Sequence, residues 1–319
     1  MSGTTLTHTS PLAQRLAAWF SERFPLANGI LFVILYLTCA LLARHSYGAI
    51  AVSLVDLIGA LVCWSYFLLL RIFDEHKDYQ LDLHNHPQRI LQSGLITLLH
   101  LRVLAVIAIA SQISWSLYVD DWQVGAATLA WIIAFVWTAL MGKEFFCGAW
   151  LEKRLTLYAF SHMLVMPLIV WWLLNLGASG VSLNANVLLL MLVAFVSGFC
   201  FEITRKTRGS EEERPTVDSY SRIYGHQGAA NIILALILLL SGLQIALLYQ
   251  LSEAMPWIAI VVIALMTALV AQGLLGYKQA PTAAARESNE KRVALLMLSG
   301  YLCITGVALS GVAVQLFWW

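Results

Sequence analysis

Nine apolar blocks, most of them near 20 residues long, constrain this 319-residue chain more than any other feature of it. They run Asn28–Leu42, Ala49–Leu70, Leu95–Tyr118, Gln123–Met141, Thr156–Leu176, Asn184–Phe201, Ala229–Tyr249, Trp257–Tyr277 and Val293–Phe317. A backbone that crosses lipid must satisfy its own polar groups, so blocks of this length are expected as helices. Composition agrees, with 60% hydrophobic and 12% charged residues and a mean hydropathy of +0.76, far from a soluble domain. The expected fold is all-α: a polytopic membrane protein of about nine transmembrane helices in one domain spanning 1–319, with a polar N-terminal segment at 1–27.

The connections between blocks alternate in character. Ala43–Gly48, Val119–Trp122, Gly177–Leu183 and Gln250–Pro256 are short and nearly uncharged, whereas Arg71–Gly94, Gly142–Leu155, Glu202–Gly228 and Lys278–Arg292 are longer and charged. Every Lys and Arg falls on the charged side except Arg44 and Arg102, the latter inside the third block. The positive-inside rule then places the N-terminus and the charged loops in the cytoplasm, with the chain in the plasma (inner) membrane. Trp318-Trp319 is expected as an interfacial anchor on the far side. The N-terminus lacks an apolar core beside a cleavage site, so no cleavable signal peptide is expected. The five cysteines are scattered without a CxxC and are expected as packing residues. A net charge of +1 and no basic stripe with interleaved aromatics give no sign of a nucleic-acid partner.

Chemistry concentrates where two blocks end. After the second block, Asp74, Asp78 and Asp82 recur every fourth residue, which on a helix sets three carboxylates along one stripe, with Glu75 one position away. Like charges four apart cost a helix about 0.2–0.5 kcal/mol per pair, and a divalent cation between them would reverse that sign. The plain alternative is a solvated helix end. After the sixth block comes a second charged cluster, Glu202, Arg205, Lys206 and Arg208, followed beyond Gly209-Ser210 by Glu211, Glu212 and Glu213, which are expected in a mobile, solvated loop. Two acidic clusters on one membrane face suit a hard cation such as Mg²⁺, which takes one or two carboxylates and completes its shell with phosphate oxygens. The bases beside them, Lys77, Arg89, Arg205 and Lys206, suit the oxygens of a diphosphate. Together they describe a site for an amphiphile with a diphosphate head and a hydrocarbon tail.

The residues Asp74-Glu75-His76-Lys77-Asp78-Tyr79-Gln80-Leu81-Asp82 resemble the first Asp-rich motif, N-D-x-x-D-x-x-x-D, of the UbiA-type intramembrane prenyltransferases. His86-Pro87-Gln88-Arg89-Ile90-Leu91-Gln92-Ser93-Gly94 is similar to that family's R-P-x-x-S-G segment, and Trp150-Leu151-Glu152-Lys153-Arg154 to its Y-P-x-x-K-R segment. The second motif departs from D-x-x-x-D: either Glu202 opens it and Lys206 replaces its second Asp, or an insertion makes Glu211 or Glu212 the ligand. Asp218-Ser219-Tyr220-Ser221 with Gly225 resembles the end of that loop. The resemblance implies a UbiA-like bundle and Mg²⁺-assisted departure of diphosphate from an allylic prenyl diphosphate, with transfer to a lipophilic or aromatic acceptor. It implies Asp78, Asp82 and Glu202 in catalysis and Asp74, Asp78, Asp82 and Glu202 as metal ligands. Lys77, Arg89, Lys153, Arg205 and Lys206 would bind diphosphate, with Glu75, His162, Glu212 and Asp218 as further candidates.

Other polar residues have simpler readings. His162, inside the fifth block, is expected to bond a neighbouring carbonyl, and Glu144 to pair with Lys143 or Lys153. A transporter of divalent cations or small solutes is the competing class, but transporters place such sites near the bilayer midplane on broken helices. Here the acids lie at block ends, which favours the enzyme. Reporter fusions after Gly94, Leu155, Gly228 and Arg292 should all report cytoplasm, and those after Gly48 and Leu183 the opposite side. A cytoplasmic signal at Leu183 would overturn the block count.

Overall fold

Why apolar blocks become these helices is clearest at their ends. The computed structural model describes residues 6–26, 29–45, 49–214, 217–310 and 313–317. The start of the first expected block at Asn28 and the expected anchor Trp318-Trp319 lie outside the described residues. The helices are α1 (Leu12–Arg23), α2 (Gly29–His45), α3 (Val55–Lys77), α4 (Tyr79–Asn85), α5 (Leu98–Val119), α6 (Ala126–Gly142), α7 (Gly148–Leu151), α8 (Leu155–Met163), α9 (Val165–Gly177), α10 (Ala185–Arg205), α11 (Tyr220–Leu251), α12 (Trp257–Gln279) and α13 (Ala283–Leu309). Each of the nine expected blocks corresponds to an apolar helix, the fifth to the pair α8–α9. Seven of these are long and apolar enough to cross a membrane, and α2 and α6 are shorter, at 17 residues each.

The fifth span breaks at Leu164 because Pro167 sits in the first turn of α9, where it has no N–H to return to the carbonyl of Met163. In α11 the break is at Gly225, whose φ of 70° belongs to the left-handed region that glycine enters without strain. Several helices overrun their apolar blocks at the charged end, three of them without an internal break. α3 continues from Leu70 to Lys77, α10 from Phe201 to Arg205, and α13 begins at Ala283 rather than Val293. The charged clusters therefore ride on rigid helical extensions.

Two expectations change. The second and ninth blocks are not helical throughout: Ala49–Ser53 (β1) and Ala313–Phe317 (β2) form a short parallel pair. Short apolar runs outside a helix must pair their backbone groups somewhere, and each strand supplies the other. The polar N-terminal segment, in turn, holds a docked helix. Leu12, Leu16, Trp19 and Phe20 recur at helical spacing in α1, and Trp19 is completely buried in a cluster with Phe24, Leu68, Ile72, Leu91, Ile96 and Leu101. Arg15 donates to the Leu95 carbonyl at 2.8 Å, and Glu22 accepts from the Ile90 amide at 2.9 Å.

A separate apolar core runs from Leu35 in α2 to Val307 in α13, with α2, α9, α10, α11 and α13 contributing most of it. The end away from the charged clusters is pinned by Arg44, the lone base of the short connections. Its guanidinium grips buried Asp56 at 2.7 and 3.0 Å and donates to the carbonyls of Gly177 and Ala51. Tyr36 and the Ser53 amide donate to the same carboxylate, each at 3.0 Å. Removing one partner of a buried pair leaves an uncompensated charge. Asp56→Ala should cost about 3 kcal/mol, read as a lower unfolding midpoint in detergent, whereas Glu253→Ala on the exposed turn after α11 should leave it unchanged.

Candidate active site

α3 and α10 deliver their charged ends to the same end of the bundle, and α8 lies between them. α3 stops at Lys77 and α4 starts at Tyr79, yet the helical bonding carries on across Asp78. The Asp78 amide donates to the Asp74 carbonyl and the Asp82 amide to the Asp78 carbonyl, both at 2.8 Å. The expected stripe therefore survives, but its carboxylates have different fates. Asp82 accepts from Arg89 at 2.6 Å and from Arg23 at 3.3 Å. Glu75, with no side-chain exposure, accepts from Arg23 at 2.6 Å and from Arg71 one turn earlier. Asp74 and Asp78 have no hydrogen bond or ion pair among the described residues, and Asp74 is open to solvent.

The second cluster closes on itself. Glu202 accepts from Arg205 at 2.7 Å and from Lys206 at 2.9 Å, three and four residues later on the same helical face. Asp74 lies within electrostatic reach of both Glu202 and Arg205, so the two clusters face each other. Between them stands Tyr158 of α8, which the sequence did not single out. Lys77 from the first cluster lies 5.0 Å from its ring centroid, and Lys206 from the second lies 5.6 Å away. Lys77 also donates to the Tyr158 hydroxyl, which donates in turn to Glu144 at 3.4 Å. His162 donates from Nδ1 to the Tyr158 carbonyl at 2.8 Å and stacks on the ring with 4.0 Å between centroids. It thereby holds the tyrosine in place.

Glu144 reaches this site from an unusual turn. Glu144, Phe145 and Phe146 have φ of 49°, 52° and 59°, three consecutive non-glycine residues in the left-handed region. Each such residue costs about 1–2 kcal/mol, so tertiary contacts must hold the turn. Lys77 supplies one at 3.4 Å from Glu144, in place of the expected Lys143 or Lys153.

Not every candidate joins. Among the described residues, Lys153 is exposed in the turn after α7 and touches none of these acids, and Asp218 is exposed without a partner. Glu211 to Glu213, expected as a solvated loop, each hold something. Glu211 accepts from the Ala283 amide at 2.6 Å, and Glu213 accepts from Ser219 at 2.8 Å. Glu212 accepts from the Gly209 amide at 2.9 Å and pairs with Arg286 at 2.7 Å, which holds its carboxyl below the usual range. The loop packs against the α12–α13 turn so tightly that a Cβ on Gly209 would meet Ala283 N at 2.3 Å. These glutamates are a latch.

The expected four-carboxylate metal set is therefore divided. Asp82 and Glu202 are engaged by bases, and among the described residues no group of three or more His, Cys, Asp or Glu gathers to hold a metal ion. Asp74 and Asp78, one turn apart and unpaired, still fit an ion such as Mg²⁺ that asks for only one or two carboxylates.

Burial raises the Asp78 carboxyl above the ordinary range, and Lys77 opposes that shift only in part. A carboxyl whose folded pKa is raised favours the fold while protonated and costs stability once ionised. Asp78→Asn should therefore raise the unfolding midpoint slightly at pH 7. The gain should fade as pH falls through the raised folded pKa and be gone below the usual aspartate pKa, which midpoints measured across pH 3–7 will check.

No protein-family model matches the sequence, and no curated protein matches it. Solved structures do. A digeranylgeranylglyceryl phosphate synthase aligns with a TM-score of 0.64 at 18% identity, over 92% of this chain and 99% of its own. A UbiA homolog from Aeropyrum pernix K1 aligns with a TM-score of 0.60 at 16% identity, over 88% and 97%. At such identities the likeness is one of architecture, and it covers nearly the whole chain. This protein has the fold of the UbiA-type membrane prenyltransferases.

Proposed function

We propose that this protein is a membrane prenyltransferase that moves a prenyl group from an allylic prenyl diphosphate to a lipophilic or aromatic acceptor, working at the cytoplasmic face of the membrane. The observation that carries the reading is the meeting of two charged helix ends across Tyr158, with two unpaired carboxylates on one side and lysines from both clusters against one ring. Asp74 and Asp78 would hold Mg²⁺, which when bound supplies Lewis-acid help to the leaving diphosphate. Lys77 and Lys206 would receive the diphosphate oxygens, and Arg89 and Arg205 would extend the same positive wall. Glu202 would hold Arg205 and Lys206 in position rather than bind a metal ion itself. The apolar helices beneath would take the hydrocarbon tail and keep water from the allylic cation. Asp82, Glu202 and the exposed Lys153 then matter less to metal binding than Asp74 and Asp78 do.

Purified protein in detergent, given prenyl diphosphates of several lengths with Mg²⁺, should release diphosphate and stop when the metal is chelated. Asp74→Asn and Asp78→Asn should abolish release while the protein stays monodisperse. Lys206→Ala should raise KM for the prenyl diphosphate about tenfold, the worth of one charge-assisted hydrogen bond. Glu211→Gln, in the latch, should change KM little. A protein inert toward every prenyl diphosphate in the presence of Mg²⁺ would overturn the assignment.

A further inference from the structure

The first acidic cluster holds a cation from outside its own motif. Arg23, the last residue of α1, lies 52 and 59 residues before the two acids it bridges, Glu75 at 2.6 Å and Asp82 at 3.3 Å. Its side chain keeps only 17% of its exposure. The contact is not a chance surface pair, because α1 is fixed by buried Trp19 and by the tethers from Arg15 and Glu22. With Arg71 on Glu75 and Arg89 on Asp82, three guanidiniums answer two carboxylates. The next acids along the stripe, Asp78 and Asp74, have no such partner.

We propose that Arg23 is a positioning residue that acts as a resident counter-cation. By neutralising Glu75 and Asp82 it removes both from metal binding and confines a divalent ion to Asp74 and Asp78. The N-terminal helix is then a part of the site and sets how many metal ions the site takes and how tightly. This rests on the metal-binding reading of Asp74 and Asp78 given above. Arg71 and Arg89 each hold one of the two acids, whereas Arg23 alone spans both, so its loss frees lone pairs on Glu75 and Asp82 together. Asp82 is one helical turn from Asp78, roughly 6 Å along the axis. At a separation of about 8 Å, removing a unit charge changes the affinity of a dication about fivefold at the dielectric of water and low salt.

Mn²⁺ binding to the purified full chain without substrate, followed by electron paramagnetic resonance, tests this apart from turnover. Wild type should bind one ion per chain. Arg23→Gln should bind about fivefold more tightly or take a second ion, while Arg23→Lys should behave as wild type. Arg23→Met, which keeps the packing of the stem, gives the same reading if the glutamine variant does not stay folded. Arg15→Gln cuts another tether of α1 about two turns away and should leave Mn²⁺ affinity unchanged. Equal binding by wild type and Arg23→Gln would overturn the proposal. So would an Arg15→Gln or Arg23→Lys change as large as that of Arg23→Gln, since docking and not charge would then be the cause. Absence of Mn²⁺ binding in every variant would overturn the metal reading of Asp74 and Asp78, and this proposal with it.

Discussion

Glu75 is fully buried where α3 leaves the apolar bundle, and an ionised carboxylate in that position is tolerable only with cations against it. Arg23 and Arg71 meet that need, and much of the charged end follows from it. Bringing Arg23 to Glu75 requires the end of α1 to reach α3, and Trp19 is buried in one cluster with Leu68 and Ile72. With α1 in place, Ile90 and Leu95 of the loop after α4 find backbone partners in Glu22 and Arg15, and Arg89 is left facing Asp82. One buried charge thus orders a helix, a loop and half of the candidate site.

The second cluster meets the same physical problem by local means. Glu202 draws its cations from the next turn of its own helix, so α10 needs no outside element to keep the acid ionised. The loop that follows is fixed separately, by Glu211 and Glu212 against the start of α13 and by Glu213 against Ser219. The difference has a consequence for charge. At α3, Asp74 and Asp78 are left unpaired among the described residues, whereas at α10 Glu202 is saturated. The acids without a partner thus lie on the α3 side, while bases come from both helix ends.

The nine spans were legible because lipid imposes one rule, an apolar helix of about 20 residues, and because the Lys and Arg distribution fixes the parity of the connections. The stripe Asp74, Asp78 and Asp82 was legible for a similar reason, since four-residue spacing survives the junction at Asp78. What escaped depends on pairings between distant segments. The apolar spacing of Leu12, Leu16, Trp19 and Phe20 signals a helix, yet nothing in twelve residues says that it docks on α3. Tyr158 looks like any aromatic in an apolar run until α3 and α10 each bring a lysine to it. The latch glutamates read as a solvated acidic run because their partners, Ala283 and Arg286, lie some 70 residues away. The strand pair joins segments more than 250 residues apart, and periodicity cannot see that distance.

Tyr158 shows how these pieces produce a site. Two ammonium groups against one ring repel each other, and the ring's quadrupole offsets that repulsion only weakly. Each lysine therefore depends on its carboxylate, Lys77 on Glu144 and Lys206 on Glu202, to remain where it is. Glu144 in turn sits in a left-handed turn that Phe145 anchors against Trp137 and His162. The arrangement stores unfavourable terms in the backbone at Glu144 to Phe146, in the paired lysines and in the bare Asp74 and Asp78. A bound anion would relieve the lysines, and a bound cation would relieve the aspartates. The metal–diphosphate of the proposed reaction would relieve both at once, because it brings both signs of charge to charges that face each other.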